Sequence, residues 1–146
     1  MKQKIFDDRS IVISLPNEIG FERIAMQCSA SYAKTVGFLE HKIEDLKTAV
    51  SEACLNAMEH GNKGDPDTRV IVTLNYHDGI LSISVVDKGE GIDELPEDPD
   101  IEEKIANLQS PRGLGIFLIR HLVDEVEFNK KTEEGHMVRM LLKMRG

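Results

Sequence analysis

The run Val70-Ile71-Val72-Thr73-Leu74-Asn75-Tyr76-His77-Asp78-Gly79-Ile80-Leu81-Ser82-Ile83-Ser84-Val85-Val86-Asp87 carries two segments rich in β-branched residues, Val70 to Tyr76 and Ile80 to Asp87. They are joined through His77-Asp78-Gly79, and Asp-Gly between alternating apolar residues is a strong signal for a tight hairpin. An antiparallel pair is therefore expected at the centre of the fold. Period-2 alternation puts Leu81, Ile83, Val85 and Asp87 on one strand face, so the Asp87 carboxylate points toward the side that buries its neighbours. A carboxylate in that position needs hydrogen-bond donors.

Toward the N-terminus, residues 9–15 read as a short strand that ends at Pro16-Asn17. A helical pattern follows from about Ile19 to Phe38, with Phe21, Ile24, Ala25, Cys28 and Tyr32 at near-helical spacing. A second helix, roughly Glu44 to His60, stripes Leu46, Ala49, Val50, Ala53 and Ala57 along one side and stops at Gly61-Asn62. Toward the C-terminus, residues 88–112 break the pattern with glycines, prolines and a cluster of acids, leaving room for a short helix near Ile101 to Leu108. A loop of this length inside a small domain is usually functional or mobile. An apolar helix then runs to about Val123, and strands near Glu125 to Asn129 and His136 to Lys143 close the chain. The pattern predicts an α+β fold with helices on one face of a mixed, mostly antiparallel sheet.

The chain has 146 residues, 40% of them hydrophobic and 30% charged, which suits one domain over 1–146 with a core that needs no staples. Eighteen basic against 26 acidic residues give a net charge of −8, which disfavours direct nucleic-acid binding. Cys28 and Cys54 lie far apart without zinc-type spacing and read as reduced core residues. With no signal-peptide pattern and no 18-residue apolar run, the expectation is a cytoplasmic protein off the membrane.

Three constellations can carry chemistry. On the second helix Glu52, Asn56 and Glu59 fall within about 60° of one another, at the rim of the apolar stripe. A carboxamide oxygen there suits magnesium, and a carboxylate one turn earlier can orient a nucleophile. At the end of the hairpin, Asp87-Lys88-Gly89-Glu90-Gly91 sets an inward carboxylate, able to accept from the amine of adenine, before two glycines that let backbone approach a flat ring. At the last helix, Arg112-Gly113-Leu114-Gly115 opens a helix start, where free N–H groups and the dipole attract anions. Each also fits a plainer role: a solvated helix flank, a strand-ending turn, a glycine cap.

The order and spacing of the three add what none has alone, and they resemble the asparagine box and two glycine boxes of the GHKL superfamily of ATPases and kinases. Within it, residues 49–62 and 112–126 look like the bacterial anti-sigma factor and serine-protein kinase family. That resemblance implies a Bergerat two-layer α/β sandwich binding ATP and magnesium. Asn56 would ligate magnesium, Glu52 would be the catalytic base, and Asp87 would bind the adenine amine. Gly89, Gly91, Ile92, Gly113, Leu114 and Gly115 would contact the nucleotide, and Arg112 its phosphates. Residues from about Asp93 to Pro111 would form a lid over it. Many members carry further glycines where this chain has Pro111-Arg112-Gly113, which implies a stiffer hinge.

The resemblance further implies a homodimer that sequesters a sigma factor and phosphorylates an anti-anti-sigma protein of the STAS type. Two other readings use the same boxes: a nucleotide-sensing module without kinase activity, and a stand-alone histidine kinase catalytic domain. The chain lacks a long dimerisation helix bearing a phosphoacceptor histidine, and His41, His77, His121 and His136 read as structural or surface residues.

Overall fold

A computed structural model describes residues 9–88, 111–132 and 135–145, with the side chains of 111–114 and 129–132 left aside. Five strands form one sheet: β1 (Ile11–Pro16), β2 (Arg69–His77), β3 (Ile80–Asp87), β4 (Glu125–Thr132) and β5 (Gly135–Lys143), in the order β1-β2-β3-β5-β4. Among the described residues every pairing is antiparallel. The central hairpin forms as its sequence dictates. Asp78 and Gly79 take φ of 48° and 81°, the two positive values of a tight primed turn, and this fixes Tyr76 opposite Leu81.

Among the described residues three helices cover one sheet face: α1 (Glu22–Val36), α2 (Glu40–Asn56) and α3 (Pro111–Leu122), with α2 touching both of the others. The first two boundaries differ from the periodicity reading for local reasons. Gly20, at φ 114°, donates to the Glu22 side chain and delays the start of α1. Gly37, at φ 109°, donates to Lys34 while Phe38 donates to Ala33, a glycine-capped ending that stops α1 at Val36 and lets α2 begin at Glu40. Pro111 is the first residue of α3, where its missing N–H costs nothing. Gly113 and Gly115 therefore lie inside the first turns of α3 rather than ahead of it.

The core lies between the two layers. Val70, Val72 and Leu74 of β2, Leu81, Ile83 and Val85 of β3, and Val138, Met140 and Leu142 of β5 alternate inward. They meet Leu46, Ala49, Val50, Ala53 and Cys54 of α2 and Ile119 of α3. Each Val, Leu, Ile or Met among them contributes roughly 1.5–3 kcal/mol by leaving water, enough to fix the register that carries Asp87 inward at the end of β3. Cys54 is buried and Cys28 half-buried, both free, and burial pushes the Cys54 thiol up to about 12. Among the described residues no helix is long and apolar enough to cross a membrane.

Candidate functional site

Asp87 ends the inward-facing row of β3 and is only 4% exposed. Its cross-strand partner is His136, itself 2% exposed, whose Nδ1 lies 3.3 Å from Asp87 Oδ2. Two glycines close around the aspartate. A Cβ on Gly61 would stand 2.2 Å from Asp87 Cγ and Oδ2, and a Cβ on Gly135, at φ 141°, would stand 2.0 Å from the Asp87 carbonyl oxygen. No other residue fits either place without displacing the carboxylate or the strand.

Gly61 reaches Asp87 because α2 does not end as an α-helix. After Asn56 the chain widens into a π-helical turn, Ala57–Gly61, and Asn62 donates to Ala57 five residues back, at 2.8 Å. Such turns add a residue to the helix and recur where a side chain must be re-aimed. Asn62, 5% exposed, then works as a bracket. Its Oδ1 accepts from Lys88 N–H at 2.7 Å, while its Nδ2 lies 3.1 Å from both Asn17 Oδ1 and the Arg69 carbonyl. Asn17 in turn donates to the Asp65 carbonyl at 3.0 Å. The backbone leaving Asp87 is thus hung on the end of the π-helical turn.

Asn56, at the junction between the α- and π-helical turns, buries its Oδ1 with no hydrogen-bond partner among the described residues. An unmatched buried carbonyl oxygen is costly, by about 1–3 kcal/mol, unless a cation or donor completes it. Magnesium fits: it takes one or two protein oxygens and leaves its other positions to water and phosphate. Among the described residues no cluster of three acidic, histidine or cysteine groups is placed to hold a metal. Glu52 lies one turn earlier on α2. Burial first, and the Glu59 carboxylate second, raise the Glu52 carboxyl above its ordinary value. Its Oε2 would be 2.7 Å from a Cβ on Gly115, so the glycine in the second turn of α3 makes room for this carboxylate.

Among the expected site residues, Glu52 and Gly115 come together at the α2–α3 contact, Asn56 lies one turn further along α2, and Asp87 sits beyond the π-helical turn against Gly61. Arg112, Gly113 and Leu114 occupy the first turn of α3, in backbone only. Gly89, Gly91, Ile92, the expected lid and the short helix at 101–108 lie outside the described residues. Sequence reading missed Gly61, Asn62, Asn17, Gly135 and the contact of His136 with Asp87. The hairpin register to β5 identifies His136, and no local pattern identifies the two asparagines. A separate groove of about 740 Å³ between β1 and α1, lined by Arg9, Ser10, Ile11, Cys28, Tyr32 and Thr35 among others, contains none of these residues.

The histidine kinase-like ATPase domain family matches residues 18–142. The serine-protein kinase RsbW of Bacillus pumilus (strain SAFR-032) is 35% identical over 118 residues, covering 77% of this chain and 71% of that protein. The serine-protein kinase RsbW of Bacillus subtilis (strain 168) is 32% identical over 115 residues, covering 76% of this chain and 70% of that protein. A crystal structure of the RsbU and RsbW domains of a Mycobacterium tuberculosis protein superposes with a TM-score of 0.59 over 91% of this chain, at 21% identity. The chain spans 31% of that longer protein, and the likeness is one of fold.

Proposed function

Because the chain belongs to the histidine kinase-like ATPase domain family, where it stands with the RsbW serine-protein kinases, we propose that it is an ATP-dependent serine/threonine protein kinase and an anti-sigma factor. Residues 1–146 form one such domain, cytoplasmic and homodimeric, that phosphorylates a STAS-type anti-anti-sigma protein and sequesters a sigma factor. The observation that carries the kinase reading is the pairing, one turn apart on α2, of a carboxyl raised by burial and a buried, partnerless carboxamide oxygen.

Phosphoryl transfer asks the protein for positioning and charge stabilisation more than for covalent chemistry. Magnesium-ATP supplies the γ-phosphoryl group and part of the charge neutralisation. Asn56 Oδ1 would hold the metal, and Asp87 would accept from the adenine amine. Gly89, Gly91, Ile92, Gly113, Leu114 and Gly115 would contact the nucleotide, and Arg112 with the α3 N-terminus its phosphates. Glu52 takes the proton from the attacking serine or threonine hydroxyl. Its affinity for protons, raised by burial and then by the Glu59 carboxylate, makes it a stronger base than an exposed carboxylate. The anti-sigma role rests on family likeness.

Radiolabelled ATP, offered with magnesium and candidate STAS-domain proteins of the same organism, tests this reading. The expected result is serine or threonine labelling that Glu52→Gln abolishes while ATP binding survives. ATP binding without labelling of any candidate would favour the nucleotide-sensing module, and labelling on histidine the histidine kinase reading.

A further inference from the structure

A glycine inside a helix weakens it unless something needs the space. Gly115 stands in the second turn of α3 with no positive φ, and alanine is the better helix former, so neither backbone conformation nor propensity asks for glycine there. What asks for it is one side chain. A Cβ on Gly115 would meet Glu52 Oε2 at 2.7 Å, Cδ at 3.7 Å and Cβ at 4.0 Å, so the three nearest atoms all belong to Glu52.

Both helices at this contact are anchored. Ile116 and Ile119, 2% and 1% exposed, bury the inner side of α3, and Ala49 and Ala53 bury the stripe of α2 whose rim bears Glu52. A carboxylate pressed against a neighbouring helix loses the rotamers that would cross it. Resting on the reading of Glu52 as the general base, we propose that Gly115 is a positioning residue for that base: its bare Cα seats the Glu52 carboxylate against α3, a role separate from any contact with nucleotide. The same close approach of α3 takes water from the carboxyl, in keeping with its raised affinity for protons.

The test is a double-mutant cycle of Gly115→Ala with Glu52→Asp, whose carboxylate stands one methylene short of the contact. Ordinary contact with a Cβ begins at 3.4 Å, so Gly115→Ala must push Oε2 back by about 0.7 Å. Because Oε2 is the end of a flexible side chain, the variant keeps its fold and changes the aim of the carboxylate. With magnesium-ATP and the STAS-domain protein that the wild-type chain labels, kcat should fall about 10–100-fold, the cost of a reacting group misplaced by such a distance. KM for ATP should stay within about twofold. In the Glu52→Asp background the same substitution should cost under about threefold. A crystal structure of nucleotide-free Gly115→Ala should show the Glu52 carboxylate withdrawn from α3. An equal loss in both backgrounds, a raised KM with kcat unchanged, or a carboxylate that stays in place while α3 moves aside overturns the proposal and leaves the kinase reading standing. Wild-type protein that labels no candidate overturns the kinase reading, and the proposal with it.

Discussion

Gly61→Ala isolates the fit between the π-helical turn and Asp87. The backbone at Gly61 has no positive φ, so alanine adopts it without strain, and the added methyl is the whole perturbation. That Cβ would lie 2.2 Å from Asp87 Cγ and Oδ2, and real Cβ contacts essentially never fall below 3.0 Å, so the carboxylate must retreat by about 0.8 Å or more. The 3.3 Å contact with His136 has no such slack and breaks if the carboxylate swings away from it. Overpacking of this kind costs about 1–3 kcal/mol, offset by up to about 1 kcal/mol because alanine suits a helical turn better than glycine. The net loss of about 1–2 kcal/mol lowers Tm by roughly 2–8 °C for a chain of this size. Affinity for ATP should fall further, by tenfold or more, because the displaced group is the base-reading carboxylate. Thermal unfolding and isothermal titration on the same samples measure both. A variant with wild-type Tm and wild-type ATP affinity would refute the assignment of Gly61 as the seat of Asp87.

Asn56→Ala should make the nucleotide-free protein at least as stable as wild type, by up to about 1–3 kcal/mol, since the deleted Oδ1 is buried with no partner among the described residues, while the magnesium-dependent part of ATP affinity disappears. Urea unfolding and titration with and without magnesium check the two halves, and magnesium dependence that survives removes Asn56 as the ligand. For Glu52→Gln, phosphoryl transfer should fall about 10²–10⁴-fold. The wild-type rate should decline as pH is lowered through the raised Glu52 value, a limb that steady-state kinetics should find missing from any residual activity of the variant. The same shift has a stability sign. Folding raises this carboxyl above its unfolded value, so ionising it costs stability as pH rises through that window. The variant should therefore be more stable above it, by under about 1 kcal/mol for a half-exposed group, and equal to wild type below the usual carboxylate range. Identical melting curves at every pH would contradict this. Asn62→Ala removes the acceptor of Lys88 N–H and two further bonds from a buried bracket, and should cost about 2–3 kcal/mol in urea unfolding. A loss below about 0.5 kcal/mol would show that the bracket is redundant.

The elements legible in the sequence were those whose pattern is local. The strand Ile80–Asp87 announced itself by alternation and by Asp78-Gly79, and its period carried the inward direction of Asp87 with it. Glu52 and Asn56 were legible because an α-helix fixes their spacing. Gly115 was legible as a glycine, though its seat against Glu52 depends on how closely α2 and α3 approach. What stayed hidden depends on tertiary context. The π-helical turn has no sequence signature, so Gly61 read as a helix stop although it is the residue on which Asp87 rests. Asn62 and Asn17 are 45 residues apart and meet only when β1, β2 and the end of the turn converge. His136 read as structural or surface because its relation to Asp87 is set by the β3–β5 register, which a single strand cannot show.

The central claim is that these residues build a magnesium-nucleotide site, and isothermal titration of the wild-type protein with ATP, in the presence and absence of magnesium, addresses it most directly. The account predicts saturable one-site binding that magnesium strengthens and that ITP matches poorly. No heat of binding under either condition, or binding indifferent to both magnesium and the base, would contradict it.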